Sequence, residues 1–304
     1  MSNSVIGKQK RKNPEGLPAP YSIPEFLTRS SDPEFICYDP DLSEGNWQLC
    51  TSRQILDPKH KAWMAKIDEP DILHRKKWDY SIIIETLSAY GILKPGASGI
   101  GFGVGREPLV SLFASYGCTV LATDLPLNNE HKEKWDEVGS HSSEKSQLFY
   151  EDLISREKFD RLVSFMPVNM TEIPTDLYDE PVDFVWSTSA LEHVGTHKGA
   201  RDFVMNSAKM LKPGGIVVHT SEINLTSKEK TVELPTFYLW TRKSIEALRK
   251  DLRAEGYRIR KLNLHPGAGK ADQIVNNVLR EGPVMKRQKR GFAFTSFSII
   301  IEKP

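Results

Sequence analysis

Residues 98 to 124 constrain the fold more than any other stretch. They read Ser-Gly-Ile-Gly-Phe-Gly-Val-Gly-Arg-Glu-Pro-Leu-Val-Ser-Leu-Phe-Ala-Ser-Tyr-Gly-Cys-Thr-Val-Leu-Ala-Thr-Asp. Gly101, Gly103 and Gly105 alternate, so the backbone there can take positive φ and lie close to a ligand where a Cβ would collide. Leu109, Leu112, Phe113 and Tyr116 then recur at helical spacing, and Gly117 sits where that helix would stop. A helix starting at the loop points free N–H groups at an anion. Thr119 to Thr123 reads as a buried strand with Asp124 at its carboxyl end. An acid there, about 20 residues past a glycine loop, is placed to accept hydrogen bonds from ribose hydroxyls. The unit predicts an α/β fold holding a nucleoside-containing cofactor.

The glycine spacing narrows the cofactor. A dinucleotide fingerprint needs G-x-G-x-x-G. From Gly99 its third glycine falls on Val104, and from Gly101 it falls on Arg106. Neither register fits, and no Tyr-x-x-x-Lys pair accompanies it, which argues against a nicotinamide oxidoreductase or epimerase.

The rest of the chain bounds the setting. Its 304 residues are 39% hydrophobic with a formal net charge of +1, so general attraction to nucleic acid or anionic membrane is not expected. Nor is there an Asn-Pro-Pro-Tyr-type motif for holding a flipped base. Cys37, Cys50 and Cys118 show no paired C-x-x-C spacing, which supports neither a disulfide framework nor a zinc site. No apolar run approaches the roughly 20 residues of a membrane span. The basic patch Lys8, Lys10, Arg11 and Lys12 lacks the apolar run of a secretory signal, so it reads as a solvated tail and the expected compartment is the cytoplasm.

Residues 1–73 are rich in proline and scattered aromatics, among them Pro18, Pro20, Tyr21, Trp47 and Trp63. They read as an N-terminal extension whose first part is disordered, serving either as a lid or as plain surface cover. The main domain is expected over 74–304. It opens with a helix whose face carries Trp78, Ile82, Ile83, Leu87 and Tyr90, closed by Gly91. Arg75 and Lys76 on it read as solvated charges, with neutralisation of a cofactor carboxylate as the alternative. After Asp124 comes a polar stretch holding Trp135 and His141, then a helical pattern through Leu148, Phe149 and Leu153.

Further strands follow in order. Arg161 to Asn169 is the third, and Pro181 to Ser187 is the fourth, running into Thr188-Ser-Ala-Leu-Glu-His-Val-Gly195. A helix through Phe203, Val204, Ala208 and Leu211 ends at Pro213-Gly-Gly, before a fifth strand from Ile216 to Thr220. A helix through Ile245, Leu248 and Leu252, a sixth strand from Gly256 to Leu264 and a β-rich run from Gly291 to Ile301 complete the chain.

Taken together, G-x-G-x-G with a strand-end acid, Ala-Leu-Glu-His after the fourth strand and Leu-Lys-Pro-Gly-Gly before the fifth resemble the class I S-adenosylmethionine (SAM)-dependent methyltransferases. Within that superfamily the chain is most similar to bacterial enzymes found with surface-glycan biosynthesis, through Gly-Phe-Gly-Val-Gly-Arg-Glu-Pro-Leu, Ala-Thr-Asp-Leu, Ala-Leu-Glu-His-Val-Gly and His-Thr-Ser-Glu-Ile-Asn-Leu. The resemblance implies a Rossmann-like seven-stranded mixed sheet with an N-terminal extension. It also implies SAM as cofactor, held by Gly101, Phe102, Gly103, Gly105, Asp124, Leu125, Asn169, Met170 and Ser187. Asn169 would take the adenine amino group on its side-chain carbonyl, and Met170 would pack on the ring. One departure stands out. The family usually carries an acid two positions before the first glycine of the triplet, where this chain has Gly99, so the cofactor's amino group must find another partner. A loop carbonyl or a residue near Trp78 is expected.

Methyl transfer is an in-line displacement, and a hydroxyl acceptor needs its proton removed. The candidates for that work are His193, Glu192, Glu222, His219 and His265, while Glu222 and Asn224 after the fifth strand are also placed to hold substrate hydroxyls. His193 leads because it follows the fourth strand, at the edge where ligands of such sheets bind, and titrates near working pH. The expected acceptor is a small molecule or glycan with a hydroxyl. A non-catalytic SAM-binding protein is the remaining alternative, with Gly99 in its favour.

Overall fold

The computed structural model describes residues 23–30, 34–126, 141–276 and 282–304. Lys8, Lys10, Arg11, Lys12, Pro18, Pro20, Tyr21 and Trp135 lie outside the described residues. In chain order the strands are β1 (Phe35–Ile36), β2 (Trp47–Gln48), β3 (Ser98–Phe102), β4 (Thr119–Asp124), β5 (Val163–Pro167), β6 (Val182–Thr188), β7 (Leu211–Asn224), β8 (Glu233–Leu234), β9 (Phe237–Tyr238), β10 (Arg258–Ile259), β11 (Leu262–Asn263), β12 (Val275–Asn276), β13 (Lys286–Lys289) and β14 (Phe292–Glu302). The helices are α1 (Ser52–Ile55), α2 (Pro58–Lys66), α3 (Arg75–Ala89), α4 (Leu109–Ser115), α5 (Arg156–Leu162), α6 (His197–Lys209) and α7 (Arg242–Ala254).

Nine strands form one sheet in the order β12-β13-β14-β7-β6-β3-β4-β5, with β10 beside β14. The run from β7 to β5 is parallel, whereas β14 lies antiparallel to β7 and to β10. The expected seven strands are therefore present, and β12 and β13 extend them. The reason is local. Lys289 pairs with Phe292 across a two-residue turn in which Arg290 and Gly291 have φ of 48° and 84°. Positive φ at both positions is what a tight hairpin matched to strand twist requires.

Three other expectations are corrected. The pattern at Leu148 is a short 3-10 turn, Lys145–Leu148, and the helix lies later, at α5, where the Ser155 side chain accepts from the Lys158 N–H. Consequently β5 starts at Val163 rather than Arg161. The sixth strand is split: β10 stays with β14, while β11 joins β1 and β2 in a separate three-stranded sheet.

Strand alternation sets the two faces. In β3, Gly99 and Gly101 stand beside Phe184 and Trp186 of β6, and Phe113 of α4 packs edge-on to both rings at 5.5 and 5.0 Å. Phe102 points to the opposite face and meets Phe203 of α6 at 5.2 Å. Helices α4 and α6 thus cover opposite sides, and the carboxyl ends of β3, β4 and β6 are left as a shared edge. Helix α3 fully buries Trp78, Ile82, Ile83 and Leu87, each worth about 2 kcal/mol relative to exposure. Residues 34–73 share the same hydrophobic cluster: Trp47 is fully buried, and its Nε1–H donates to the Ile300 carbonyl at 2.6 Å. Among the described residues no helix is long and apolar enough to cross a membrane.

Candidate active site

The turn after β3 folds back on the tip of β4. Gly103 and Gly105 have φ of 59° and 54°, the left-handed region that a side chain rarely tolerates. That curvature brings the Val104 N–H to the Thr123 carbonyl at 3.1 Å and the Gly105 N–H to Asp124 Oδ2 at 3.1 Å. Asp124 also accepts from the Leu125 N–H at 2.8 Å and the Ser142 N–H at 3.0 Å. A carboxylate has about four acceptor positions, so three backbone donors leave about one for a ribose hydroxyl. Leu125 is partly buried and its carbonyl meets His141 Nε2 at 2.9 Å. Burial pushes Asp124 above its ordinary range, against the pull of these donors.

The alternating glycines do two different jobs. A Cβ on Gly101 would stand 2.3 Å from Trp186, and one on Gly99 would stand 2.3 Å from Phe184. Both positions make room for aromatic rings of the core, and Gly99 has no space for an acid. Only the turn itself faces the shared edge. A Cβ on Gly103 would lie 2.8 Å from Ala190 Cβ and 3.6 Å from Met170 Sδ, so the segments after β5 and β6 converge on it. Gly101 and Phe102 are buried strand residues, and the Phe102 ring faces Phe203 in the core. Phe102 therefore has only its backbone near the turn.

Beside the turn lies a buried charged cluster. Arg75 and Glu222 are 3% and 4% exposed and form an ion pair. Lys76 Nζ reaches Glu192 Oε1 at 3.2 Å and Glu222 Oε1 at 3.6 Å, and Ser221 Oγ donates to Glu192 Oε2 at 3.2 Å. Asp79, fully buried, accepts from Ser189 Oγ at 2.6 Å. Burial pushes Asp79 upward. It pushes Glu222 upward too, but Arg75 and Lys76 outweigh that and hold the carboxylate below its usual range. Arg75 Nε, Asp79 Oδ1 and Glu222 Oε2 are buried without a hydrogen-bond partner among the described residues. Ser189, which joins this cluster to β6, has φ of 48°. Non-glycine residues held there cost of order 1–3 kcal/mol and gather at functional sites.

His193 sits in the short turn Leu191–Val194, whose backbone closes through a bond from the His193 N–H to the Ala190 carbonyl at 3.0 Å. Its ring is partly exposed, with Nδ1 3.1 Å from the Thr236 carbonyl and Nε2 3.9 Å from Glu192 Oε1. A carbonyl only accepts, so Nδ1 carries the hydrogen and Nε2 holds the lone pair. Burial pushes the imidazole below 6.5, against the pull of Glu192. The loop between β8 and β9 covers this turn: the Pro235 carbonyl stands 2.3 Å from where a Cβ on Gly195 would be.

Other expected site residues lie elsewhere. His219 is fully buried between Ser187 Oγ and Ser207 Oγ, both at 2.9 Å, and burial pushes it down to about 3. It is a core residue, as is Ser187, because alternation along β6 turns Ser187 away from the Trp186 face. The Asn169 carbonyl accepts from the Thr171 N–H at 3.0 Å and Thr171 Oγ1 at 2.9 Å, so it is occupied by a local turn rather than open to adenine. His265 follows β11 in the second sheet, its Nδ1 accepting from the Gly267 N–H at 3.2 Å. Asn224 binds Lys230, Thr226 and Ser227 backbone groups. Arg75 is buried rather than solvated, and sequence reading missed Asp79 and Glu107. The signal was there: a charge beside Trp78 inside an apolar helix, and another just before α4.

Residues 100–219 match a family model described as a methyltransferase domain. No curated protein matches the chain. Solved structures that resemble it include phosphoethanolamine N-methyltransferase 2 of Haemonchus contortus in complex with SAM, at 18% identity over 65% of this chain and 41% of that chain, with TM-score 0.38. The 1,6-didemethyltoxoflavin-N1-methyltransferase of Burkholderia thailandensis shows 14% identity over 72% and 75%, with TM-score 0.37. An O-methyltransferase family protein from the same organism shows 12% over 75% and 59%, with TM-score 0.35. The chain thus spans less than half of the first of these. With TM-scores this low, the assignment rests on the domain match and the geometry. Residues 100–219, which run from the glycine turn into the fifth parallel strand, are thus similar to a methyltransferase domain.

Proposed function

We propose that the chain transfers a methyl group from SAM to a hydroxyl oxygen of a small acceptor, a sugar or glycan unit being the expected class. The observation that carries this reading is His193: a neutral imidazole with its Nε2 lone pair at the carboxyl edge of the sheet, in the same turn as the Ala190 that packs on Gly103. When bound, SAM supplies a methyl group activated by its sulfonium. His193 Nε2 takes the hydroxyl proton, and Glu192 beside it favours the imidazolium that forms. Arg75 and Lys76 keep Glu222 charged, so Glu222 is assigned to holding the cluster rather than to proton transfer. The β8–β9 loop packs on the end of the His193 turn at Gly195. Gly103, Gly105, Asp124, Leu125 and Met170 line the cofactor side, with Gly101 and Phe102 setting the strand beneath.

We place the domain boundary between residues 73 and 74 and assign the preceding extension to covering the α3 side. Support comes from Trp78 Nε1–H, which donates to Gln54 Oε1 at 2.8 Å. Calorimetry with SAM tests the cofactor half: no binding at millimolar ligand, or unchanged binding in Asp124→Ala and Gly103→Val, rejects it. Turnover on a panel of hydroxylated sugars tests the acceptor half.

A further inference from the structure

Glu107 forms no ion pair among the described residues. It is 6% exposed, and its Oε1 accepts from Thr188 Oγ1 at 3.0 Å and Trp186 Nε1 at 3.4 Å. Asp124 and Asp79 are among the charges acting on it, and both are acids. Burial pushes it well above the ordinary carboxylate range. Three carboxylates thus lie near the Gly103 turn: Asp124 is tied by backbone N–H groups, Asp79 has Lys76 Nζ at 4.0 Å, and Glu107 accepts from Thr188 and Trp186 with no ion pair among the described residues. Buried acids are stable as anions only when paired, and Glu107, the one of the three with neither an ion pair nor backbone donors among the described residues, calls for a positive ligand.

The placement says which part of the ligand. Thr188, which holds Glu107, is followed by Ser189, which holds Asp79, and then by Ala190 against Gly103. Glu107 and Asp79 therefore meet at the end of β6, across the turn from the nucleoside end at Asp124. Gly99, one strand position below Ile100, cannot supply an acid because Phe184 fills its space.

We propose that Glu107 receives the α-ammonium of the cofactor's amino-acid end, with Asp79 reinforcing the negative field. This rests on the SAM reading above. The test is calorimetry with two probes: S-adenosylhomocysteine, and its analogue with the α-ammonium replaced by hydrogen. Wild-type protein binds the homocysteine compound at least tenfold more tightly. Glu107→Gln weakens that compound about ten- to hundredfold and changes the analogue less than twofold. Equal losses for both ligands, or no loss for either, overturn the proposal. Should Glu107→Gln not fold, the wild-type ratio decides alone, and equal affinities overturn the proposal. If wild-type protein binds neither probe at millimolar concentration, the SAM reading fails and this assignment with it. If it binds both equally, only this assignment fails.

Discussion

Restoring the acid at position 99 is expected to damage the protein rather than improve cofactor binding. A Cβ there would stand 2.3, 2.4 and 2.5 Å from three atoms of the Phe184 ring. The ring has nowhere to go, since it is fully buried, 5.5 Å from Phe113 and stacked 5.6 Å from Trp186. Inserting a methyl into a packed core costs ~1–3 kcal/mol, so Gly99→Ala is expected to lose about 2 kcal/mol. Gly99→Asp adds a carboxyl without a partner, for about 2 kcal/mol more. At ~2–4 °C per kcal/mol for large domains, thermal unfolding followed by circular dichroism should fall by about 6 °C for alanine and about 12 °C for aspartate. A Phe184→Ala background removes the clash, so the two substitutions should couple by at least ~1 kcal/mol. A Gly99→Asp protein with wild-type Tm and tighter S-adenosylhomocysteine binding would refute the reasoning, as would strict additivity with Phe184→Ala.

His193→Ala should lower kcat about 10²–10⁴-fold while changing SAM affinity only a few-fold, and near-wild-type turnover removes His193 from the mechanism. Because the neutral ring is the active form and its burial-depressed pKa lies below 6.5, kcat should stay level above that pH and fall only beneath it. His219 adds an acid liability: folded protein protonates it at about 3, whereas the unfolded chain does so near 6.5. Stability from this group is complete above 6.5 and lost as pH falls toward 3, about 5 kcal/mol in all. Denaturant titrations of His219→Gln should show a shallower decline across that window. Arg75→Ala leaves Glu222 buried without its main partner and should cost ~3–5 kcal/mol. The double substitution Arg75→Met with Glu222→Met should cost less than the single one, as read by urea unfolding.

By itself, the sequence determined the strand-turn-helix-strand unit from Ser98 to Asp124, the rejection of a dinucleotide spacing, and the succession of strands along the chain. These follow from local rules: glycine permits positive φ, and period 2 or 3.6 marks the buried side of an element. What it could not settle was which neighbour occupies each space. Gly99 and Gly101 looked alike to Gly103 and Gly105, yet the first two accommodate Phe184 and Trp186 and only the last two curve the turn. Ser187 and His219 stood on promising strands, but pairing β6 with β7 turned them together into the core. Arg75 and Glu222 are 147 residues apart, and neither has a local reason to be buried. Their pairing, like the gathering of Asp79 and Glu107 around one turn, exists only because α3, β6 and β7 meet at the carboxyl edge. Electrostatic partnership depends on distance and burial, and both are set when the sheet assembles.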